Sequence, residues 1–212
     1  MEAYSMRKRD AVETKARILA TAEKLFSAVG FDKTRVDVIA KEAGVNKALI
    51  YYYFKSKDEI LDTLFTSLID DVKLILIKSV EETPDISQEN EYRRLFKIYM
   101  DFITKKRKII KVAIAESAKV SAKISVVLKL GDLISNAEVE SIRRAYEAKG
   151  LCFPADKQEM LVMEFFTGLM PLFTFALYKD EWEHFYNVSE AELAEKIYQA
   201  FKKTHLGAHI GR

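Results

Sequence analysis

Between Thr34 and Phe54 the apolar positions fall into two short helical sets separated by a turn. Val36, Ile39, Ala40 and Ala43 recur at the spacing of one helix face, and Gly44 follows where the chain must turn sharply. Thr34 stands where it can cap the first of these helices, with Asp37 as the acidic half of a capping box. Asn46 is the cap expected for a second helix running to about Phe54, with Ile50 at the centre of its buried face. At about 100° per residue, Ala48, Leu49, Tyr51 and Tyr52 point away from Ile50. With Lys47 and Lys57 flanking it, that face suits insertion into a DNA major groove. Ala48 permits close approach, the hydroxyls reach phosphates and the lysines neutralise charge. A small helical subdomain whose tyrosines cover a neighbour would produce the same pattern.

The pattern on either side extends the helical reading. Ile18, Leu19, Ala22, Leu25, Phe26 and Val29 form the stripe of a first helix expected to start near Asp10 and stop at Gly30. Arg7, Lys8 and Arg9 before it read equally as an arm along a DNA backbone or as a tail. Ser56 and Glu59 predict a capping box opening a fourth helix at Lys57, which Thr83-Pro84 stops. That helix is long enough to link an N-terminal unit, residues 1–56, to a second unit, residues 57–212. A fifth helix carries Tyr92, Leu95, Phe96, Tyr99, Met100, Phe102 and Ile103, with an end expected in the run Lys105 to Lys108. From Ile109 to Lys149 the pattern stays helical, with breaks expected near Val120 and Gly131. Asp156 opens the most apolar helix, EMLVMEFFTGLMPLFTFALY, with a kink expected at Pro171 and Trp182 in the loop beyond. Ser189 and Glu192 cap a last helix striped by Leu193, Ile197, Ala200 and Phe201.

Composition sharpens this picture in two places. The formal charge of +2 hides a split: up to Lys57 there are 12 Lys and Arg against 7 Asp and Glu, and beyond it 22 against 25. Any affinity for nucleic acid therefore belongs to the N-terminal quarter. Cys152 is the only cysteine, which excludes an intrachain disulfide and a cysteine-rich zinc site. The opening MEAYSMRKRD lacks the apolar run of a secretory signal, so a cytoplasmic location is expected. Met160 to Tyr178, interrupted by Glu164, Gly168 and Pro171, is expected as a buried helix without membrane insertion.

Catalytic chemistry has little to stand on. The sequence holds no glycine-rich phosphate loop, no G-x-S-x-G elbow and no H-E-x-x-H, and its histidines are His184, His205 and His209. His205 and His209 have the spacing of two ligands on one helical turn, but Gly207 between them and the nearby terminus favour a frayed tail. Cys152, beside Phe153 and Pro154, reads as incidental. Glu164, on an otherwise apolar helix, reads as a paired carboxylate or a ligand contact. The expectation is a protein that is no enzyme and has no cofactor and no metal.

One stretch carries a family likeness. Leu25-Phe26 with Gly30-Phe31, then Thr34 through Ile39-Ala40 to Ala43-Gly44-Val45, then Tyr51-Tyr52-Tyr53-Phe54-Lys55-Ser56-Lys57, resembles the TetR family of bacterial transcriptional regulators. The likeness covers roughly Lys15 to Leu64 and is specific, because many positions agree at fixed spacing. It implies an all-α fold of about nine helices, with an N-terminal three-helix helix-turn-helix DNA-binding domain and a larger C-terminal helical ligand-binding and dimerisation domain. It further implies a homodimer on a palindromic operator, released by a ligand. By position, Tyr51 and Lys57 match residues that reach the phosphate backbone, Thr34 and Arg35 stand similarly at their helix start, and Asn46, Lys47, Ala48 and Leu49 occupy the base-facing slots. Two departures matter: Ala48-Leu49 stands where the family often has Gly-Thr, so Leu49 could touch a thymine methyl, and Tyr53, where His is frequent, adds a further candidate phosphate contact.

For the larger domain, the candidate pocket for a small hydrophobic or amphipathic ligand comprises Phe96, Tyr99, Met100, Met163, Phe166 and Thr167, with Glu164 as partner for a cationic group. Each of these also reads as ordinary core. The apolar faces of the last two helices, through Leu161, Phe165, Leu169, Leu172, Leu193, Ile197 and Phe201, suggest a four-helix dimer interface, though core packing explains each separately. Two rivals stay open: a helical lipid- or small-molecule-binding protein without operator function, and a DNA-binding protein lacking a small-molecule inducer.

Overall fold

The structure, a computed structural model, describes residues 2–82, 89–119, 125–148, 150 and 156–206. These form α1 (Glu2–Val29), α2 (Val36–Glu42), α3 (Lys47–Tyr53), α4 (Lys57–Glu82), α5 (Glu89–Ser117), α6 (Val126–Ala148), α7 (Lys157–Met163), α8 (Met170–Tyr186) and α9 (Glu190–Phe201). A π-helical turn, Glu164–Leu169, joins α7 to α8 in one continuous rod, and a second, Lys202–Leu206, prolongs α9. Among the described residues there is no strand. The fold is all-α, with a helix-turn-helix at its N-terminal end.

Local chemistry sets most boundaries. The Ser56 hydroxyl accepts the Glu59 N–H at 3.2 Å while the Glu59 carboxylate reaches back to the Lys55 N–H at 2.6 Å, so α4 opens on a reciprocal cap. Asp156 accepts from Gln158 N–H and Ser189 from Glu192 N–H, as expected for the starts of α7 and α9. Three expectations fail. The basic run Lys105 to Lys108 does not end a helix: α5 passes through it to Ser117, because Lys106 pairs with Asp71 on α4 and Arg107 with Asp180 on α8. The first helix begins at Glu2, and Trp182 lies within α8. At Pro171, where a kink is expected, the helix continues. The π-helical turn just upstream widens the coil, the Met170 N–H bonding back to Phe165 O, and the proline falls at the start of α8 where its missing N–H costs least.

One continuous apolar core runs from Ile18 to Phe201. Its N-terminal part, with Phe26, Phe31, Ile39, Ile50 and Phe54, is the small core expected from the pattern. Central to the remainder is α5, which packs on α1, α4, α6 and α8. The rod α7–α8 is long and apolar enough to cross a membrane by length and composition, yet Met160, Leu169, Leu172, Phe173, Phe175 and Ala176 are buried in this core. Of the two breaks expected between Ile109 and Lys149, one falls after Ser117. Gly131 instead lies inside α6, where the Phe165 ring occupies the space that a Cβ would need.

That seat yields a test. Gly131→Ala gains up to about 1 kcal/mol in helix propensity but overpacks against Phe165 by about 1–3 kcal/mol. A net fall of the urea midpoint at unchanged slope is expected; a midpoint equal to the parent's would place the ring elsewhere.

Candidate functional site

The turn between α2 and α3 is built by its backbone. Gly44 takes φ 66°, its N–H bonds to Lys41 O at 3.2 Å and the Val45 N–H to Ala40 O at 3.0 Å, the bond pair of a Schellman ending. Asn46 then caps α3, its side-chain oxygen accepting the Leu49 N–H at 2.8 Å. Arg17 on α1 donates to Ala43 O at 2.9 Å and ties the turn to the first helix. With Ile39 and Ile50 fully buried, the outer face of α3 is held in one orientation.

On that face Asn46, Lys47, Ala48, Tyr51 and Tyr52 are exposed, Tyr52 by 78%. Leu49 is half-buried. Tyr53 is half-buried as well, packed on the core with its ring edge-on to Tyr52 at 5.1 Å, so it presents less to a ligand than the other two tyrosines. Arg35 and Lys47 flank Asp37 at 3.6 and 2.7 Å. The hydrogen bond from Lys47 holds the Asp37 carboxyl below its ordinary range and raises the lysine in turn. Two cations surround one anion here, so the surface stays net positive.

Two of the expected contacts have partners within the chain. Thr34 is buried, and its hydroxyl donates back to Gly30 O at 2.8 Å, while Arg35 takes the N-cap position of α2 without a side-chain cap. The hydroxyl is turned into the protein. Lys57 is likewise spoken for. Its ammonium donates to Phe31 O at 2.8 Å, Thr34 O at 3.1 Å and Asp32 O at 3.4 Å, and lies 4.2 Å from the centre of the Phe31 ring. An ammonium has three protons, and three carbonyls take them. Lys57 is a strut between α4 and the α1–α2 loop.

Residues 18–64 match the family model described as bacterial regulatory proteins, tetR family. This N-terminal segment is therefore similar to the DNA-binding domain of the TetR family. Its curated relatives include the HTH-type transcriptional regulator YhgD of Bacillus subtilis, 37% identical over 87 residues that cover 41% of this chain and 45% of that protein. EthR of Mycobacterium tuberculosis is 32% identical over 84 residues, 40% of this chain and 39% of that protein. The chain thus spans less than half the length of these curated relatives. Similarity of fold reaches further: the transcriptional regulator FadR from Bacillus subtilis, solved in complex with stearoyl-CoA, covers 91% of this chain and 98% of its own at 16% identity, with a TM-score of 0.62.

In the C-terminal part of the chain, the residues expected to line a pocket divide. Phe96, Met100 and Glu164 are buried and Tyr99, Met163 and Thr167 half-buried, whereas Phe166 is 65% exposed on the opposite face of its helix and is removed from the set. The expected dimer residues are placed as follows within the single chain. Leu169, Leu172, Leu193 and Phe201 are buried in the chain's own core, and Leu161, Phe165 and Ile197 are half-buried, the last two packed against it. Phe201 stands 5.4 Å from Phe96 and 4.8 Å from the His205 ring, so one aromatic group contains members of both expected sets. The apolar side chains left outside on the rod are Val162, Phe166, Tyr178, Trp182, Phe185 and Tyr186.

Sequence reasoning missed the polar group inside. Glu138 on α6, Glu164 at the start of the first π-helical turn and His205 in the second bring one donor atom each to within 4.8 Å of the others. Burial, then Glu164, pushes the Glu138 carboxyl well above its usual range. His205, expected in a frayed tail, is buried; His209 and Cys152 lie outside the described residues. The only signal available was Glu164 itself, because its partners come from helices distant in the chain. A second missed contact is Lys119 at the end of α5, which reaches Asp32 in the α1–α2 loop at 2.6 Å.

The strut gives a prediction. Lys57→Met, which keeps the stem and removes the ammonium, is expected to destabilise the chain by about 2 kcal/mol in denaturant while leaving the salt dependence of DNA binding unchanged. A shallower salt slope with unaltered stability would return Lys57 to the phosphate-contacting set.

Proposed function

We propose that this chain is a DNA-binding transcriptional regulator that acts as a homodimer on a palindromic operator in the cytoplasm and is released from it by a ligand. The observation that carries the reading is the exposed face of α3, with Lys47, Ala48, Tyr51 and Tyr52 held outward by a glycine turn inside the segment that matches the family. Lys47, Tyr51, Tyr52 and Arg35 serve as phosphate contacts, and Asn46, Ala48 and Leu49 meet the base edges. Leu49, half-buried, offers an apolar edge to a thymine methyl. Nothing in this activity calls for catalysis.

In this reading residues 1–56 form the DNA-binding unit and residues 57–212 the sensing and dimerising one. A small hydrophobic or amphipathic ligand enters among Phe96, Tyr99, Met100, Met163 and Thr167, with the bound stearoyl-CoA of the B. subtilis FadR as one precedent for such a ligand in this fold. Both α4, through Lys57, and α5, through Lys119, grip the α1–α2 loop. A shift of either helix on ligand binding turns the recognition helix and changes the spacing of the two copies in a dimer. The dimer face is drawn from the exposed apolar residues Val162, Phe166, Tyr178, Trp182, Phe185 and Tyr186 of the rod, of which Trp182, Phe185 and Tyr186 form one aromatic cluster.

Selection of bound duplexes from a random library, followed by fluorescence titration at several salt concentrations, tests the operator. A palindrome should emerge, Lys47→Ala should reduce the salt slope by about 1, and Tyr51→Phe should weaken binding. No salt-sensitive binding at low ionic strength would favour a helical small-molecule-binding protein instead. For the dimer, Trp182→Asp with Phe185→Asp is expected to sediment as a monomer with unchanged helical content; a dimer surviving both charges would move the interface elsewhere.

A further inference from the structure

We propose that Glu138, Glu164 and His205 form a binding site for one divalent first-row transition-metal ion in the interior of the C-terminal domain. The donor set is two carboxyls and an imidazole, with one donor atom from each within 4.8 Å of the others. His205 Nε2 stands 3.3 Å from Glu164 Oε2, and adjacent ligands of a tetrahedral site with bonds of about 2.0–2.1 Å lie roughly 3.4 Å apart. A divalent ion would bind these carboxyls in place of the proton that burial favours on Glu138.

The hydrogen bonds around the imidazole identify its state. Thr167 has a single hydroxyl proton, and it goes to Met163 O at 2.8 Å. The contact of 3.0 Å between Thr167 Oγ1 and His205 Nδ1 must therefore have Nδ1–H as its donor. That leaves Nε2 facing Glu164 Oε2, where either a proton or a metal ion can lie between them. A histidine ligand fixed through its other ring nitrogen is the usual arrangement at metal sites.

An independent observation points to the same place. Tyr92 is 5% exposed and its hydroxyl has no hydrogen-bond partner among the described residues, although the charges of Glu138 and Glu164 both act on it. Buried hydroxyls without partners are uncommon, and a metal-bound water beside the carboxylates would supply this one. Ser135, one helical turn before Glu138 on α6, is 2% exposed and its hydroxyl also has no partner among these residues. The backbone is shaped to the task. Both π-helical turns carry a donor, and Gly168 lacks the Cβ that would stand 2.8 Å from the His205 ring. Such turns recur at functional sites because they re-aim a side chain without ending the helix.

The test uses the full chain, stripped with a chelator and titrated with Zn²⁺ by calorimetry, with metal content counted by mass spectrometry after dialysis. One Zn²⁺ per chain is expected, together with a rise in Tm and, for Co²⁺, a visible absorption band of low-symmetry coordination. Glu164→Gln and His205→Gln should each weaken Zn²⁺ binding at least a hundredfold, and Glu138→Gln similarly; circular dichroism verifies that each variant is folded. If one variant fails to fold, the other two carry the comparison. Absence of stoichiometric binding by the parent chain would overturn the proposal and leave a proton in place of the ion. So would binding that persists undiminished in the folded variants, since the metal would then sit on other residues. The measurement contains no DNA, so its failure and a failure of operator binding are distinguishable.

Discussion

The carbonyl groups of the loop after α1 cannot all be satisfied by a helix, and much of the molecule is arranged around the ammonium group that satisfies them. Lys57 bonds Phe31 O, Asp32 O and Thr34 O from the first residue of α4, and its charge rests over the Phe31 ring. Removing it would leave inward-facing carbonyls without a donor, which costs more than the bonds themselves contribute. Lys119 reaches the same loop from the end of α5. The N-terminal core is thereby joined to both long helices at one place, and the orientation of α3 follows from theirs.

At the other end of α5 a different constraint acts. Tyr92, Phe96, Tyr198, Phe201 and His205 form one aromatic group, and the α9 side of it is held to α5 by Arg93 with Glu195 and by Tyr198 and Lys202 with Glu89. The exposed members of these pairs contribute little stability individually. Their effect is on register: they set which turn of α9 lies on α5, and hence bring His205 against Gly168 and Glu164. A polar group so enclosed is costly unless it is fully paired or holds a cation.

How much of this was legible depended on the range of the interaction. Gly44 in the turn, the cap at Asn46, the box at Ser56 and Glu59 and the stripe of α1 involve residues a few positions apart, and each appears in the structure as the spacing predicts. Thr34 shows the limit. Its position suits a cap, yet Gly30 O is as near, and only the folded loop decides between the two bonds. Lys57 was read as a phosphate contact because charge and placement agree with that role; that Phe31 comes within reach of its ammonium depends on the packing of α4 against α1.

The sequence alone determined the helical class, the helix-turn-helix and its exposed tyrosines, because helical periodicity and caps are local and Gly and Pro mark the turns. Only the tertiary structure decided which apolar faces are inside. Leu169, Leu172, Leu193 and Phe201 are indistinguishable by type from interface residues, and their burial depends on how the rod rotates over α5 and α6. The same rotation leaves Phe166 outside and carries Glu164 inward to meet Glu138 and His205. A π-helical turn sets that rotation, adding a residue to one coil of the helix, and periodicity at 3.6 residues per turn does not reveal it.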